Sequence, residues 1–310
     1  MQSLSAETFG RAKDYLMTSG RPLEQARFEH LFEGGSLDEV ATALTPYQNP
    51  DGGYGHALEP DSLTPTSGAL ATSVGLRALR DTGATADHEQ VRAAVGYLLA
   101  TLDPQGKVWR IIPADANDYP HAPWWTDEND DLRERFGAYE VNPRAELVGQ
   151  LHRYATLVPA DLLDDLTERT IAVIEAGEQE EHALICAVRL AETKELPARY
   201  RDRLAPRVRE LVKQTAALDT AAWSEYGPQP LWYVSAPDSI CASDLGEAVQ
   251  TNLDFLIAQQ AEDGSWKPTF NWGGMYPDDA PKAERDSTSV LTYNALAQLR
   301  AFGRIEGVSA

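Results

Sequence analysis

The stretch Gln48-Asn-Pro-Asp-Gly-Gly-Tyr-Gly55 returns in outline near the other end of the chain, as Gln260-Ala-Glu-Asp-Gly-Ser-Trp266. In one frame Gln48 matches Gln260, Asp51 matches Asp263, Gly52 matches Gly264 and Tyr54 matches Trp266. Each copy follows one apolar helical pattern and precedes another. In the following helices Leu76, Leu79, Arg80 and Gly83 match Leu296, Leu299, Arg300 and Gly303. A degenerate third copy, Tyr97 to Trp109, has Leu102 where the glutamine belongs. Self-similarity on this scale marks an array of one supersecondary unit, which cannot bury its apolar face alone and stacks on its neighbours.

Each conserved position of the frame has a physical task. Asp-Gly supplies a turn, because glycine takes positive φ without penalty and aspartate bonds its own downstream backbone. Glutamine carries two donors and an acceptor, enough to tie a helix end to the turn beside it. The aromatic two residues past the glycine covers that glutamine. The motif is a structural staple with no chemistry of its own.

Apolar spacing and capping signals predict helices through nearly all the rest. They run over about 5–18, from Pro22 to Gly34, from the Ser36–Glu39 capping box, and over about 66–82 and 87–102. Further helices are expected at about 143–157, 159–176, 179–195, 198–216 and 242–260, with a last one starting at Asp286. Asn142-Pro143 reads as cap and first helical residue. The expected class is all-α.

The run Phe255-Leu-Ile-Ala-Gln-Gln260-Ala-Glu-Asp-Gly-Ser-Trp266 resembles the glutamine-tryptophan repeat of squalene-hopene cyclases and related triterpene cyclases. Protein prenyltransferase β subunits share their α/α toroid. The resemblance implies one domain over residues 1–310, an α/α toroid of about six helical hairpins in two concentric rings around a central cavity. It does not carry the reaction over. The Asp-x-Asp-Asp motif whose central aspartate protonates the cyclase substrate is missing. The one loop cysteine near aspartates, Cys241 with Asp238 and Asp244, does not have the prenyltransferase zinc spacing.

The chemistry-bearing residues gather where helical patterns lapse. All seven tryptophans are expected outside regular helices. Indole faces suit a sugar, an isoprenoid chain or a cation. Trp124, Trp125, Trp232 and Trp272, with Arg144, are the expected substrate-binding residues. His56, Glu59 and Asp61 follow the first motif and have no counterpart after the second, so they are the expected proton-transfer set together with Asp127. Arg144 is the expected charge partner of that set, in preference to a metal, because one histidine with two carboxylates falls short of the usual zinc sets. Asp127, Asp130 and Asp131 lie in the long aromatic loop from Asp103 to Val141, where carboxylates bind Mg²⁺ if the substrate is a diphosphate. Asp161, Asp164 and Asp165 repeat that spacing at a helix start, where acidic residues serve the helix dipole.

A formal net charge of −21 argues against nucleic-acid and anionic membrane partners. Two cysteines make no disulfide framework, and neither a leader nor an 18-residue apolar run is visible, so a cytoplasmic protein is expected. The reading is a terpenoid-cyclase-like or prenyltransferase-like enzyme acting on a small apolar or isoprenoid substrate in the central cavity, with no cofactor of its own. The alternatives are a carbohydrate-processing α/α-barrel enzyme and a non-catalytic binding protein.

Overall fold

A computed structural model describes residues 1–126 and 140–309. Among them there are twelve α-helices and no β-strand, only isolated bridges. In chain order they are α1 (Ala6–Ser19), α2 (Pro22–Phe28), α3 (Leu37–Leu44), α4 (Ala69–Asp81), α5 (Glu89–Thr101), α6 (Arg144–Arg153), α7 (Ala160–Ala176), α8 (Glu181–Ala191), α9 (Ala198–Thr215), α10 (Pro230–Tyr233), α11 (Ala242–Ala258) and α12 (Ala280–Ala301). The all-α expectation holds. Contacts group the chain into two compact units, residues 36–211 and residues 1–35 with 212–310.

Helix ends follow local chemistry. The Ser36–Glu39 capping box forms, with Glu39 N donating to Ser36 Oγ at 3.2 Å and Ser36 N to Glu39 Oε2 at 2.6 Å. Two starts differ from expectation. The last helix begins at Ala280, six residues before Asp286 (286 − 280), because Pro281 suits a first turn and Asp286 instead pairs with Lys282 one turn back at 2.5 Å. Asn142 does not cap α6; the Asn142–Pro143 peptide is cis and the helix starts at Arg144.

In the unit of residues 36–211, α6 is buried nearly all round and packs on α4, α7 and α8. Its polar residues have partners there. Glu146, 4 % exposed, takes Arg189 Nη1 at 2.6 Å and Arg77 Nη1 at 3.3 Å. Burial alone would push this carboxyl up, but Arg189, Arg77 and Arg80 outweigh it and hold it down at about 2. The arginines of α9 clamp α7: Arg203 reaches Glu168 and Glu175, and Arg199 reaches Asp164 at 2.8 Å. Asp164 also accepts from Tyr200 Oη, and Asp165 pairs with Arg169, so this second acidic run is helix-surface scaffold.

The staple is built identically twice, once per unit. Gln48 Nε2 donates to Gly52 O at 3.0 Å and to Gln90 O, at the start of α5, at 3.2 Å. Gln260 Nε2 donates to Gly264 O at 3.0 Å and to Thr8 O, at the start of α1, at 2.9 Å. Gly52 and Gly264 both have φ +90°, and each lies against the backbone of the helix its glutamine reaches. The aromatic residue's N–H goes to a threonine hydroxyl of the next helix, Tyr54 to Thr72 at 3.1 Å and Trp266 to Thr292 at 3.0 Å. Thus α1 stands to the second motif as α5 stands to the first, although it precedes that motif by the length of the chain. The two ends also pair directly: Leu4 N donates to Arg304 O at 2.8 Å and Glu306 N to Leu4 O at 2.9 Å.

Candidate acid–base pocket

The first motif does something after Tyr54 that the second does not. The chain turns through His56 (φ 54°) and Ala57 (φ 61°), two consecutive non-glycine residues in the left-handed region, each at a cost of order 1–3 kcal/mol. At the equivalent of His56 the second copy has Pro268, whose ring forbids positive φ. Tight bonds from Leu58 N to Gly55 O and Ser62 N to Glu59 O close the excursion, and His56 N to Thr64 O at 2.9 Å returns it. Glu59 and Asp61, both partly buried, ride on this loop.

A second segment, residues 111–126, is laid along it. Leu63 N donates to Pro120 O at 2.9 Å, Ala122 N to Asp61 O at 2.8 Å, Leu70 N to Ile111 O at 3.1 Å, and Thr66 Oγ1 to Asp115 Oδ2 at 2.7 Å. A single 3₁₀ turn, Pro123–Trp125, then sends its two indoles different ways. Trp124, 40 % exposed, hydrogen-bonds the Asp61 carboxyl. Trp125 packs on Ile111, Ile112 and Ala116 with Leu70.

Between the segments lies a small, open pocket, with Glu59, Leu58, Leu70, Ile111, Ile112 and Trp125 in its lining. Ser62, Thr64 and Thr66 also line it, as residues i, i+2 and i+4 of an extended run must if they share a face. The hydroxyls of Ser62 and Thr64 bond each other at 2.7 Å and that of Thr66 bonds Asp115. Asp61 is pushed up to about 7. Burial is the main cause and the Glu59 charge the second, with the Trp124 bond pulling the other way. A carboxylic acid half-protonated near neutrality holds a proton that it can give up at that pH.

Of the expected site residues, Glu59 and Trp125 line this pocket, Asp61 and Trp124 adjoin it, and His56 is exposed between two lining residues, Gly55 and Ala57. Residues 111–125 of the aromatic loop and residues 55–66 thus contribute to the lining of one pocket, within one unit. Arg144 is fully buried at the first turn of α6, with Nη2 donating to Trp109 O at 3.4 Å, and is not among the lining residues. Trp232 and Trp272 belong to the other unit. Trp232 meets Tyr226 edge-on at 5.2 Å, and Trp272 meets Tyr276 edge-on at 6.2 Å. Trp232 also sits in α10, against the expectation that no tryptophan lies in a helix. Asp127, with Asp130 and Asp131, lies outside the described residues. The residue that sequence reasoning passed over is Asn49, which accepts from His56 Nε2 through its Oδ1 at 2.9 Å. The signal was available, since the second copy has Ala261 there.

Elsewhere, a trio with metal-ligand spacing, Glu180, Glu181 and His182, is occupied with capping: Glu180 accepts from Ala183 N at 2.6 Å and His182 N at 2.8 Å. Cys186 and Cys241 are buried and unbridged, and burial pushes the Cys186 thiol up to about 12, far from a nucleophile's range. No helix among the described residues is long and apolar enough to cross a membrane. Compared with known proteins, the chain matches no family model and no curated protein.

Proposed function

We propose that this protein is an acid–base enzyme acting on a small, largely apolar molecule, with Asp61 as proton donor, Glu59 as the charge that tunes it, and Trp125 as the ligand's wall. The observation that carries the reading is the raised Asp61 carboxyl beside a pocket whose walls are mostly carbon. In this reading the repeats belong to an α/α toroid of the terpenoid-cyclase type, and an isoprenoid is the substrate class that fits an apolar wall with a proton source. The repeated staple supports the toroid, since α1 supplies to the last motif the helix that α5 supplies to the first.

The test is mass spectrometry of apolar compounds extracted from the purified protein, followed by turnover assays on short isoprenoid alcohols and diphosphates, the latter with Mg²⁺. Positioned acid catalysis contributes roughly 10²–10⁴-fold, so Asp61→Asn should lose on that order. Activity should fall as pH rises through about 7. Full activity in Asp61→Asn would remove the proton donor from the reading. Two neighbouring carboxyls beside an indole also suit glycoside cleavage, so aryl glycosides belong in the same panel. Hydrolysis of these alone would favour that alternative.

A further inference from the structure

The raised carboxyl of Asp61 supplies a proton, and a site that gives one proton in a balanced reaction must also take one back. His56 stands between two lining residues, Gly55 and Ala57, and a chain of hydrogen bonds fixes which of its ring nitrogens carries the hydrogen. Asn49 Nδ2 donates twice, to Pro65 O at 2.9 Å and to Ser67 Oγ at 3.0 Å. Ser67 Oγ–H in turn donates to Asp51 Oδ1 at 2.7 Å, so it can only accept from Asn49. Turning the amide over would set Asn49 Oδ1 against the Pro65 carbonyl, oxygen against oxygen. The orientation is therefore forced, and Oδ1 faces His56 Nε2 at 2.9 Å. A carbonyl oxygen only accepts, so Nε2 must carry the hydrogen, and in the neutral ring Nδ1 then holds the lone pair.

We propose that Asn49 is a positioning residue which locks His56 as the Nε2–H tautomer and presents Nδ1 as the proton acceptor at the rim of the pocket. This rests on the reading of the pocket as an acid–base site. Neither member of the pair serves the staple. Asn49 aligns with Ala261 and His56 with Pro268, yet the second motif keeps the same turn, Asn49 N to Gly53 O at 2.9 Å being matched by Ala261 N to Ser265 O at 2.8 Å. The pair occurs only in the copy that carries the pocket, together with the positive-φ residues that turn His56 outward.

The division of labour names a reaction class. Asp61 passes its proton to one atom of the substrate while His56 Nδ1 removes a proton from another. The substrate is left isomerised with no change in composition, and the enzyme holds a carboxylate and an imidazolium. Exchange with water at the exposed His56 and the partly buried Asp61 restores both. No redox partner or co-substrate is required. Among the described residues, the other ionisable groups on these two segments are Glu59 on the same loop, with Asp115, Asp118, Tyr119 and His121 on the facing one. His121 is committed to Tyr119 O through Nδ1 at 2.6 Å, and Asp115 to Thr66.

Limited alkylation with bromoacetamide, with the products on His56 separated by mass spectrometry, reads the tautomer without an activity assay. The wild-type protein should give the Nδ1 adduct in several-fold excess. Asn49→Ala, which the second motif shows the turn accepts, should reverse the ratio toward Nε2. A predominantly Nε2 adduct in the wild type, or a ratio unmoved by Asn49→Ala, overturns the proposal. Cyclohexanol as a pocket probe separates the two claims. If it slows Nδ1 alkylation in the wild type, both stand. If the adduct ratio holds but cyclohexanol gives no protection, the positioning role stands and the pocket reading falls.

Discussion

Asp61→Asn should change the stability of this protein in a pH-dependent way whose sign is opposite to that of an ordinary paired aspartate. An aspartate in water ionises near 3.8 and in the fold this one does so near 7. The folded state thus binds the proton more tightly than the unfolded chain. The contribution is fully present below about pH 4, and is lost as pH rises through about 7. Three units at about 1.36 kcal/mol each set an upper bound of roughly 4 kcal/mol. Asp61 is only partly buried and solvent screens it, so about 2 kcal/mol is the expected size. Asparagine keeps the shape of the protonated acid and cannot ionise. The melting temperature of Asp61→Asn minus that of the wild type should therefore rise by roughly 4 °C between pH 4 and pH 8, at about 2 °C per kcal/mol for a chain of this size. Calorimetry at the two pH values suffices, since the titrations of groups that do not interact with Asp61 cancel in the double difference, and Glu59→Gln in both backgrounds removes the one neighbour that does. Parallel pH–stability curves for the two proteins would show that Asp61 titrates as it does in water, and the proton-donor argument would go with them.

Gly52→Ala and Gly264→Ala should each destabilise by roughly 3 kcal/mol or more, as a methyl there stands 2.3 Å from Ala93 O and 2.4 Å from Arg11 C at positive φ; chemical denaturation measures both. Gln48→Ala and Gln260→Ala should cost about 1–3 kcal/mol each, the loss of two bonds to buried carbonyls, and a cost at one site alone would contradict their equivalence. Glu146→Gln should cost roughly 3–5 kcal/mol at neutral pH by leaving Arg189 and Arg77 without their counter-charge. In the wild type that contribution is present above about pH 4.5 and is lost as pH falls toward about 2, so the variant's deficit should shrink in acid melts.

How much of this was legible in the chain depends on how local each feature is. The staple is local. Gln48, Asp51, Gly52 and Tyr54 act on neighbours within a few residues or on the next helix, so their spacing reported the contact. The Ser36–Glu39 box and the stop at Gly34 are legible for the same reason. Asp61 is different, because its ionisation depends on Trp124, brought alongside by main-chain bonds from residues 120–122 that no periodicity announces. Asn49 sits inside the motif without a task of its own in the turn, and only the alignment with Ala261 shows that its side chain is free for another duty. Arg144, seen as a helix-start charge, is enclosed on every side. A single helix pattern does not distinguish a surface helix from one, like α6, that the rest of its unit surrounds.

The exchange of α1 for the helix that would follow the last motif has a consequence for synthesis on the ribosome. Residues 36–211 are contiguous, and every contact within that unit is available once Leu211 has cleared the exit tunnel. The other unit waits. Thr8, Arg11 and the edge of Leu4 emerge first, but the groups they receive, Gln260, Gly264, Arg304 and Glu306, emerge last. For most of translation α1 is a short amphipathic segment with its docking face open to water, and it forms a helix poorly alone. A chaperone that binds nascent apolar segments should therefore engage this protein at α1 and release it only after the second motif has emerged. A stalled chain lacking the second motif would hold one finished unit and one unclaimed helix.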